Sequence, residues 1–222
     1  MARTAEEELN RYLSDLRREE EERGNHPVTV ASYSDAIARC YAYLGNEEEA
    51  RRYFKLAGEK CAVGLPGLRG KITRKDFALR ILRCGRSFWR AGDKRANEYF
   101  RESYDAFVKE SDDPLESTRL DAMRWSIVPL IFLEDYENAR EVARETKVKY
   151  QKARSTSGGN GLTALLTKVI EACLEDTESA LSEALLQIEE MMVSERMRFF
   201  GQNSSPVVDL HEFVRRKLAR SH

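Results

Sequence analysis

The chain has 222 residues, of which 41% are hydrophobic and 34% charged, and its 37 Lys and Arg residues nearly balance its 38 Asp and Glu residues at a net charge of −1. This balance excludes a function that depends on the charge of the whole molecule. Few alternating β-branched residues argue against strands, and no apolar run approaches the roughly 18 residues that a membrane-spanning helix needs. High charge without strand signals is typical of helices with one solvent-facing side.

Hydrophobic periodicity and capping residues predict about ten helices in a single all-helical repeat domain over residues 1–222, with an N-terminal helix, four antiparallel hairpins and a C-terminal capping helix. In chain order these elements cover residues 5–23, 30–62, 74–110, 114–153, 162–199 and 206–219. Thr4 and Glu7 form a capping box at the first helix. Residues 64–70, with three glycines and a proline, predict a loop, and residues 155–161 predict a flexible linker.

The most regular feature is a recurring set of small and aromatic residues. The first hairpin carries it at Ala38, Tyr41, Gly45, Ala50, Phe54 and Ala57, and the second at Gly85, Phe88, Gly92, Ala96, Phe100 and Ser103. The central alanines stand at positions 50, 96, 139 and 180, at intervals of 46, 43 and 41 residues. Small residues let two helices cross closely, and glycine permits a tight turn. The recurrence therefore predicts stacked helical hairpins.

On these residues the chain resembles the tetratricopeptide-repeat (TPR) family. The small and aromatic residues of the first hairpin occupy that family's positions around the turn glycine. The second hairpin matches with one residue missing between Gly92 and Ala96, and the third has Glu134 where the glycine should be. The resemblance extends over residues 34–61 and 79–107. It implies TPR-like antiparallel hairpins stacked as an α-solenoid, an architecture that mostly binds other molecules rather than catalysing reactions.

The resemblance also implies a concave groove lined by the first helix of each hairpin. Tyr33 and Tyr43 lie on the predicted first helix of the first hairpin, and Trp125 lies beside Arg124 on that of the third. Tyr33, Tyr43 and Trp125 are therefore the predicted groove residues. Trp89, which lies among apolar neighbours in the sequence, is predicted to belong to the core instead.

The strongest local charge imbalance lies in residues 69–101, where eleven basic residues against three acidic residues leave a net charge of +8. Helical periodicity places several of these on an arc beside the apolar face of the fourth helix. The predicted partner-binding stripe consists of Arg80, Arg83, Arg86, Arg90 and Lys94. Such a stripe suits an anion, and an acidic peptide or protein is the predicted ligand. The alternative is a solvated face that pairs with acidic segments such as residues 6–8, 19–22 and 171–190.

No catalytic site, metal site or cofactor is predicted. The three histidines, His26, His211 and His222, complete no metal-binding or catalytic motif. The four cysteines form no CxxC pair and lie in apolar helical patterns. They are predicted to be buried free thiols in a reducing compartment, with a disulfide or a reactive thiol as the alternative. Residues 1–22 are acidic without an apolar core, so we expect no secretory signal and a cytoplasmic protein.

The leading prediction for function is a non-enzymatic protein–protein interaction module, a TPR-like adaptor or scaffold for a peptide or protein partner. Neither a membrane nor nucleic acid is expected as a partner, since the rest of the chain is neutral to acidic and carries no recognised nucleic-acid motif. The alternative is a bacterial immunity protein that neutralises a cognate toxin, because the size and helical pattern resemble some members of that class. A helical enzyme or a nucleic-acid binder is the third prediction.

Overall fold

The computed structural model describes residues 3–110, 115–152, 159–195, 197 and 206–220, and these residues form ten α-helices and no strand. The helices are α1 (Ala5–Glu22), α2 (Pro27–Tyr43), α3 (Glu47–Leu68), α4 (Arg74–Ala91), α5 (Ala96–Glu110), α6 (Glu116–Phe132), α7 (Tyr136–Lys152), α8 (Gly159–Glu175), α9 (Glu178–Ser194) and α10 (Pro206–Leu218). The predicted all-α fold of about ten helices is confirmed. None of these helices is long and apolar enough to cross a membrane.

The chain divides into two compact units. The first comprises Met1–Tyr99 with Met197–Ser204, and the second comprises Phe100–Arg196 with Ser205–His222. In the first unit α1 packs on α2, α2 on α3 and α3 on α4. In the second unit α6, α7, α8, α9 and α10 pack in the same successive manner, and α6 also contacts α8. The organisation of all 222 residues as a single domain stays a prediction.

The first hairpin buries Ala38, Ala50, Phe54 and Ala57 of its sequence pattern, whereas Tyr41 is half-buried. Ala38, Ala50 and Phe54 form one hydrophobic cluster between α2 and α3, and each is at most 2% exposed. Tyr41 of α2 stacks on Tyr53 of α3, with ring centroids 5.7 Å apart. The predicted packing of this hairpin is therefore confirmed, and the alanines allow the two helices to approach.

Three hairpin turns share one backbone hydrogen-bond pattern. In each turn one N–H donates to the carbonyl three positions earlier, and the next N–H donates to the carbonyl five positions earlier, at 2.9–3.2 Å. The residue pairs that donate are Gly45 with Asn46, Gly92 with Asp93, and Glu134 with Asp135. This is the Schellman motif, which requires a left-handed first residue. The three first residues have φ values of +80°, +75° and +58°.

The recurring alanines follow these turns at a nearly constant distance. The N–H of Ala50 donates to the carbonyl of Asn46, and the N–H of Ala139 donates to that of Asp135 in the same way, each four residues back. Ala96 instead donates to Asp93, three residues back, because one residue is missing there. All three alanines are at most 3% exposed. Each of these three sequence repeats therefore corresponds, in the structure, to a hairpin turn followed by a buried alanine.

Two boundaries differ from the predicted ones. The predicted loop at residues 64–70 is wrong for its first part, because α3 continues through Pro66 to Leu68. Gly64 explains this extension, since a Cβ there would lie 2.8 Å from Cγ2 of Val28, so glycine lets α3 run past the start of α2. The predicted linker is wrong for residues 159–161, which are helical in α8, and residues 155–158 lie outside the described residues.

Glu134 offers a test of the shared turn, because it is the one of the three left-handed residues that carries a side chain. A left-handed conformation costs a non-glycine residue about 1–2 kcal/mol, of which glycine's extra freedom in the unfolded chain offsets about half. Glu134→Gly is therefore expected to raise the thermal unfolding midpoint by about 2–4 °C. Gly45→Ala should lower it by a similar amount, although nothing lies within 4 Å of a Cβ at Gly45. Equal midpoints for both variants and the parent would contradict this account of the turns.

Candidate functional site

Helix α4, which carries most of the predicted basic stripe, is held between two capping motifs. At its start the Thr73 hydroxyl accepts a hydrogen bond from the Asp76 N–H at 3.0 Å, and at its end Gly92 forms the left-handed cap. Four residues of its predicted apolar face are buried, namely Ile81, Cys84, Gly85 and Phe88. Phe77 and Trp89, on the same face, are half-buried. The packing of this face sets the direction in which the arginines point.

The five residues of the predicted stripe differ greatly in exposure. Arg86 is buried, at 4% exposure, whereas Arg80, Arg83 and Arg90 are half-buried and Lys94 is exposed. They therefore do not form one continuous exposed surface. The alternative prediction of a solvated face does not describe Arg86 either. The side chain of Lys94 is open to solvent, whereas the half-buried arginines expose only part of their side chains.

A buried ion network explains why arginines of α4 turn inward. The carboxylate of Asp35 accepts a hydrogen bond from Nε of Arg39 at 3.1 Å, and Nη2 of Arg83 lies 3.6 Å from the same oxygen. The side chains of Asp35 and Arg39 are only 3% and 1% exposed, and that of Arg83 is 16% exposed. Arg83 also donates to the hydroxyl of Ser32 at 3.2 Å. Since charges held out of water are costly without partners, this network ties α4 to α2.

Phe54 of α3 lies near the guanidinium group of Arg39 and near that of one further arginine, Arg90. Its ring is 2% exposed and lies 5.8 Å from Cζ of Arg39 and 5.3 Å from Cζ of Arg90, measured to the ring centroid. Cations at such distances are attracted to the negative face of an aromatic ring. Helices α2, α3 and α4 are thus joined by charged and aromatic contacts as well as by apolar packing.

The sequence of α2 contains a signal for this network, whereas the charge pattern of α4 does not indicate it. Asp35 and Arg39 are the only charged residues of α2, and they stand four positions apart. An isolated pair of opposite charges at this spacing in an otherwise uncharged helix indicates a buried ion pair. The acidic segments that the sequence offers as partners for the stripe do not include Asp35.

Within the first unit, the exposed basic residues of the +8 segment lie at the two ends of α4. Arg69, Lys71 and Arg74 are exposed at its start, and Lys94 and Arg95 are exposed after its end. Arg101, also exposed, belongs to the second unit. Arg95 is already engaged, because Nη2 lies 2.6 Å from the carboxylate of Asp93 and 3.2 Å from that of Glu59. The hydrogen bond from Arg95 lowers the pKa of Asp93. Among the predicted binding residues, Lys94 is therefore the most accessible cation.

The three predicted groove residues have different surroundings. Tyr33 is half-buried against the cluster between α1 and α2, and its ring lies 6.4 Å from that of Tyr12. Tyr43 is 57% exposed at the end of α2. Trp125 is half-buried, with Cζ of Arg124 lying 5.5 Å from its ring. Tyr33 and Tyr43 belong to the first unit and Trp125 to the second.

The second unit has a cavity of about 580 Å³ that the sequence does not predict. Helices α7, α8 and α9 line it with Lys147, Gln151, Thr163, Ala164, Thr167, Lys168, Glu171 and Gln187. Lys168 pairs with Glu183 at 2.9 Å, and Glu171 pairs with Arg140, which lowers the pKa of Glu171. Because both positive and negative side chains line the cavity, its charge favours neither an anionic nor a cationic ligand. Within the described residues no three His, Cys, Asp or Glu side chains are grouped to hold a metal ion.

Comparison with known proteins adds no relative to these observations. The chain matches no protein-family model, no curated protein and no solved structure. The resemblance to the TPR family therefore stays a prediction.

Proposed function

We propose that this chain is a protein–protein interaction module, a TPR-like adaptor or scaffold that binds a peptide or protein carrying acidic side chains. The repeated hairpin turn is the observation that carries the proposal, because the same Schellman pattern recurs at residues 45, 92 and 134. Helical hairpins built on a common turn keep their cores alike while their outward side chains vary. Repeat arrays of this kind use the outward side chains to bind partners.

We place the partner at the end of the first unit where Tyr43 and Lys94 are exposed. Tyr41 stacks on Tyr53, and Arg90 lies over Phe54. These two contacts fall on Tyr53 and Phe54, which are adjacent residues of α3. The last turns of α2 and α4 therefore lie beside the same turn of α3. Tyr43 is the last residue of α2, and Lys94 comes shortly after the end of α4. An exposed aromatic side chain and an exposed cation therefore lie at the same end of the first unit. Tyrosine is enriched at protein interfaces, and the lysine suits an acidic partner.

The test compares the parent with two double variants in affinity capture from nuclease-treated lysate, followed by measurement of Kd for each captured protein. The site variant is Tyr43→Ala with Lys94→Glu. The matched control is Val63→Ala with Lys71→Glu, which changes an exposed apolar residue and an exposed lysine at the opposite end of α3 and α4. We expect the site variant to bind at least about tenfold more weakly than the parent, and the control to bind as the parent does.

Three other results would count against the proposal or redirect it. Equal binding by the parent and both variants would reject this site. Capture of no protein would reject the interaction module. Capture of a single tightly bound toxin whose activity the chain abolishes would identify the alternative function, an immunity protein.

A further inference from the structure

Two cysteines face each other between α3 and α4. Sγ of Cys61 lies 3.6 Å from the carbonyl oxygen of Arg80, one turn before Cys84 on α4. Sγ of Cys84 lies 3.4 Å from the carbonyl oxygen of Gly58, nearly one turn before Cys61 on α3. Each sulfur thus lies against the backbone of the other cysteine's helix, in a reciprocal arrangement. Because α3 and α4 pack directly on each other, the two thiols are neighbours across the helix interface.

The two helices pack closely at this level. A Cβ built on Gly58 would lie 2.8 Å from two carbons of the Phe88 ring, so the absence of a side chain at Gly58 allows the approach. A disulfide needs Cα atoms about 4.4–6.8 Å apart, which is closer than most helix pairs bring them. Gly58 therefore favours the geometry that a bond between Cys61 and Cys84 requires.

Cys61 has the environment of a reactive thiol. It is half-buried and lines a small cavity of about 10 Å³ together with Arg80 and Arg83. The hydrogen bond with Cys84 lowers the pKa of the Cys61 thiol, and Arg83 and Arg80 lower it further against the opposing effects of burial and of the Asp35 carboxylate. A nucleophilic thiolate is typically found beside such cations. The cavity is about the size of one water molecule, so it excludes a bulky disulfide, and a small oxidant reaches half-buried Cys61 from its solvent-exposed side.

The other two cysteines, Cys40 and Cys173, have different environments and serve as references for the reactivity of Cys61. Cys40 is fully buried, and burial raises the pKa of Cys173 to about 11. The four cysteines form no disulfide in this structure. Cys40, Cys84 and Cys173 are buried as predicted, whereas Cys61 is half-buried.

We propose that Cys61 and Cys84 form a peroxide-reactive dithiol that closes to a disulfide between α3 and α4. The Cys61 thiolate attacks one oxygen of hydrogen peroxide, the O–O bond breaks, and a sulfenic acid and hydroxide form. The Cys84 sulfur then attacks the Cys61 sulfur, so that an S–S bond forms, the S–O bond breaks and water leaves. Two thiols lose two electrons and two protons in total, and one peroxide becomes two waters. Cys61 is the attacking residue and Cys84 the resolving residue.

The first experiment treats the full chain with hydrogen peroxide under native conditions, blocks the remaining thiols and maps peptides by mass spectrometry without reductant. We expect a linked peptide pair carrying Cys61 and Cys84, two hydrogens lighter than the reduced pair. In Cys84→Ser a dimedone adduct should appear on Cys61, and in Cys40→Ser, the matched control, the linked pair should persist. Circular dichroism checks that each variant keeps its helices.

The second experiment measures alkylation of the native parent chain at pH 7 and needs no variant. Cys61 should react at least about tenfold faster than Cys173, and the difference should vanish in denaturant. The proposal is overturned if Cys61 reacts no faster than Cys173 in the native chain. It is also overturned if peroxide leaves Cys61 and Cys84 reduced while other residues are oxidised, or if they link only after unfolding.

Discussion

Replacing Asp35 by asparagine is expected to lower the free energy of unfolding of the first unit by about 3–5 kcal/mol. The Asp35 carboxylate is 3% exposed and faces Arg39 at 3.1 Å and Arg83 at 3.6 Å. Asparagine keeps the size of the side chain but removes the negative charge, so the Arg39 guanidinium, at 1% exposure, loses the ionic contact with residue 35 while it stays out of water. An uncompensated buried charge is costly because the protein interior solvates it poorly.

The measurement is urea unfolding, followed by tryptophan fluorescence in a Trp125→Phe background, so that Trp89 reports on the first unit. Glu49→Gln is the matched control, because Glu49 contacts Arg52 at 2.6 Å in an ion pair whose arginine is 64% exposed. Exposed pairs contribute at most about 1 kcal/mol, so this control should unfold nearly as the parent does. If Asp35→Asn costs no more than Glu49→Gln, the network around Asp35 does not stabilise the first unit.

Replacing Gly58 by alanine is expected to lower the free energy of unfolding by about 1–3 kcal/mol, the usual cost of overpacking a core. The new Cβ would lie 2.8 Å from Cδ1 and Cε1 of Phe88. That ring cannot move aside easily, because Phe88 is fully buried and stacks on Tyr99 with ring centroids 5.4 Å apart. Alanine is a better helix former than glycine by about 1 kcal/mol, and the clash has to exceed this gain.

Gly67→Ala provides the control for helix propensity alone, since Gly67 lies on the same helix and has nothing within 4 Å of a Cβ. This variant should unfold at the same or a slightly higher urea concentration than the parent. A Gly58→Ala protein that is as stable as Gly67→Ala would show that α3 and α4 can separate without cost. It would then also remove the reason for expecting Cys61 and Cys84 to be close enough for a disulfide.

The helices and their turns could be predicted because the interactions that define them are local. Thr4 and Glu7 form the predicted capping box, with hydrogen bonds that span three residues. The turns at Gly45 and Gly92 use hydrogen bonds that span at most five residues. Glu134 occupies the same left-handed position without glycine, so composition alone misses it whereas its place in the repeat indicates it. The end of α3 could not be predicted, because the close packing of Gly64 against Val28, a distant residue in the chain, overrides the local signals of glycine and proline.

The candidate site shows where prediction from sequence stops. Helical periodicity placed the arginines of α4 on an arc beside its apolar face, and the burial of Ile81 and Phe88 agrees with that orientation. Periodicity could not tell that the arc faces α2, since the partner of Arg83 is Asp35, 48 positions earlier in the chain. The predicted binding residues therefore range from buried Arg86 to exposed Lys94, a difference that the sequence pattern does not contain.

The sequence by itself determined the all-helical class, the approximate ten helices, the hairpin repeat and the small residues at the helix crossings, because each depends on neighbours within a few turns of the same chain segment. Only the tertiary structure decided that α4 directs arginines towards a buried carboxylate of α2, and that Cys61 and Cys84 lie side by side. These pairings depend on which faces of successive helices meet. That choice is made by the packing of whole helices against one another, as where Gly58 of α3 leaves room for the ring of Phe88 on α4.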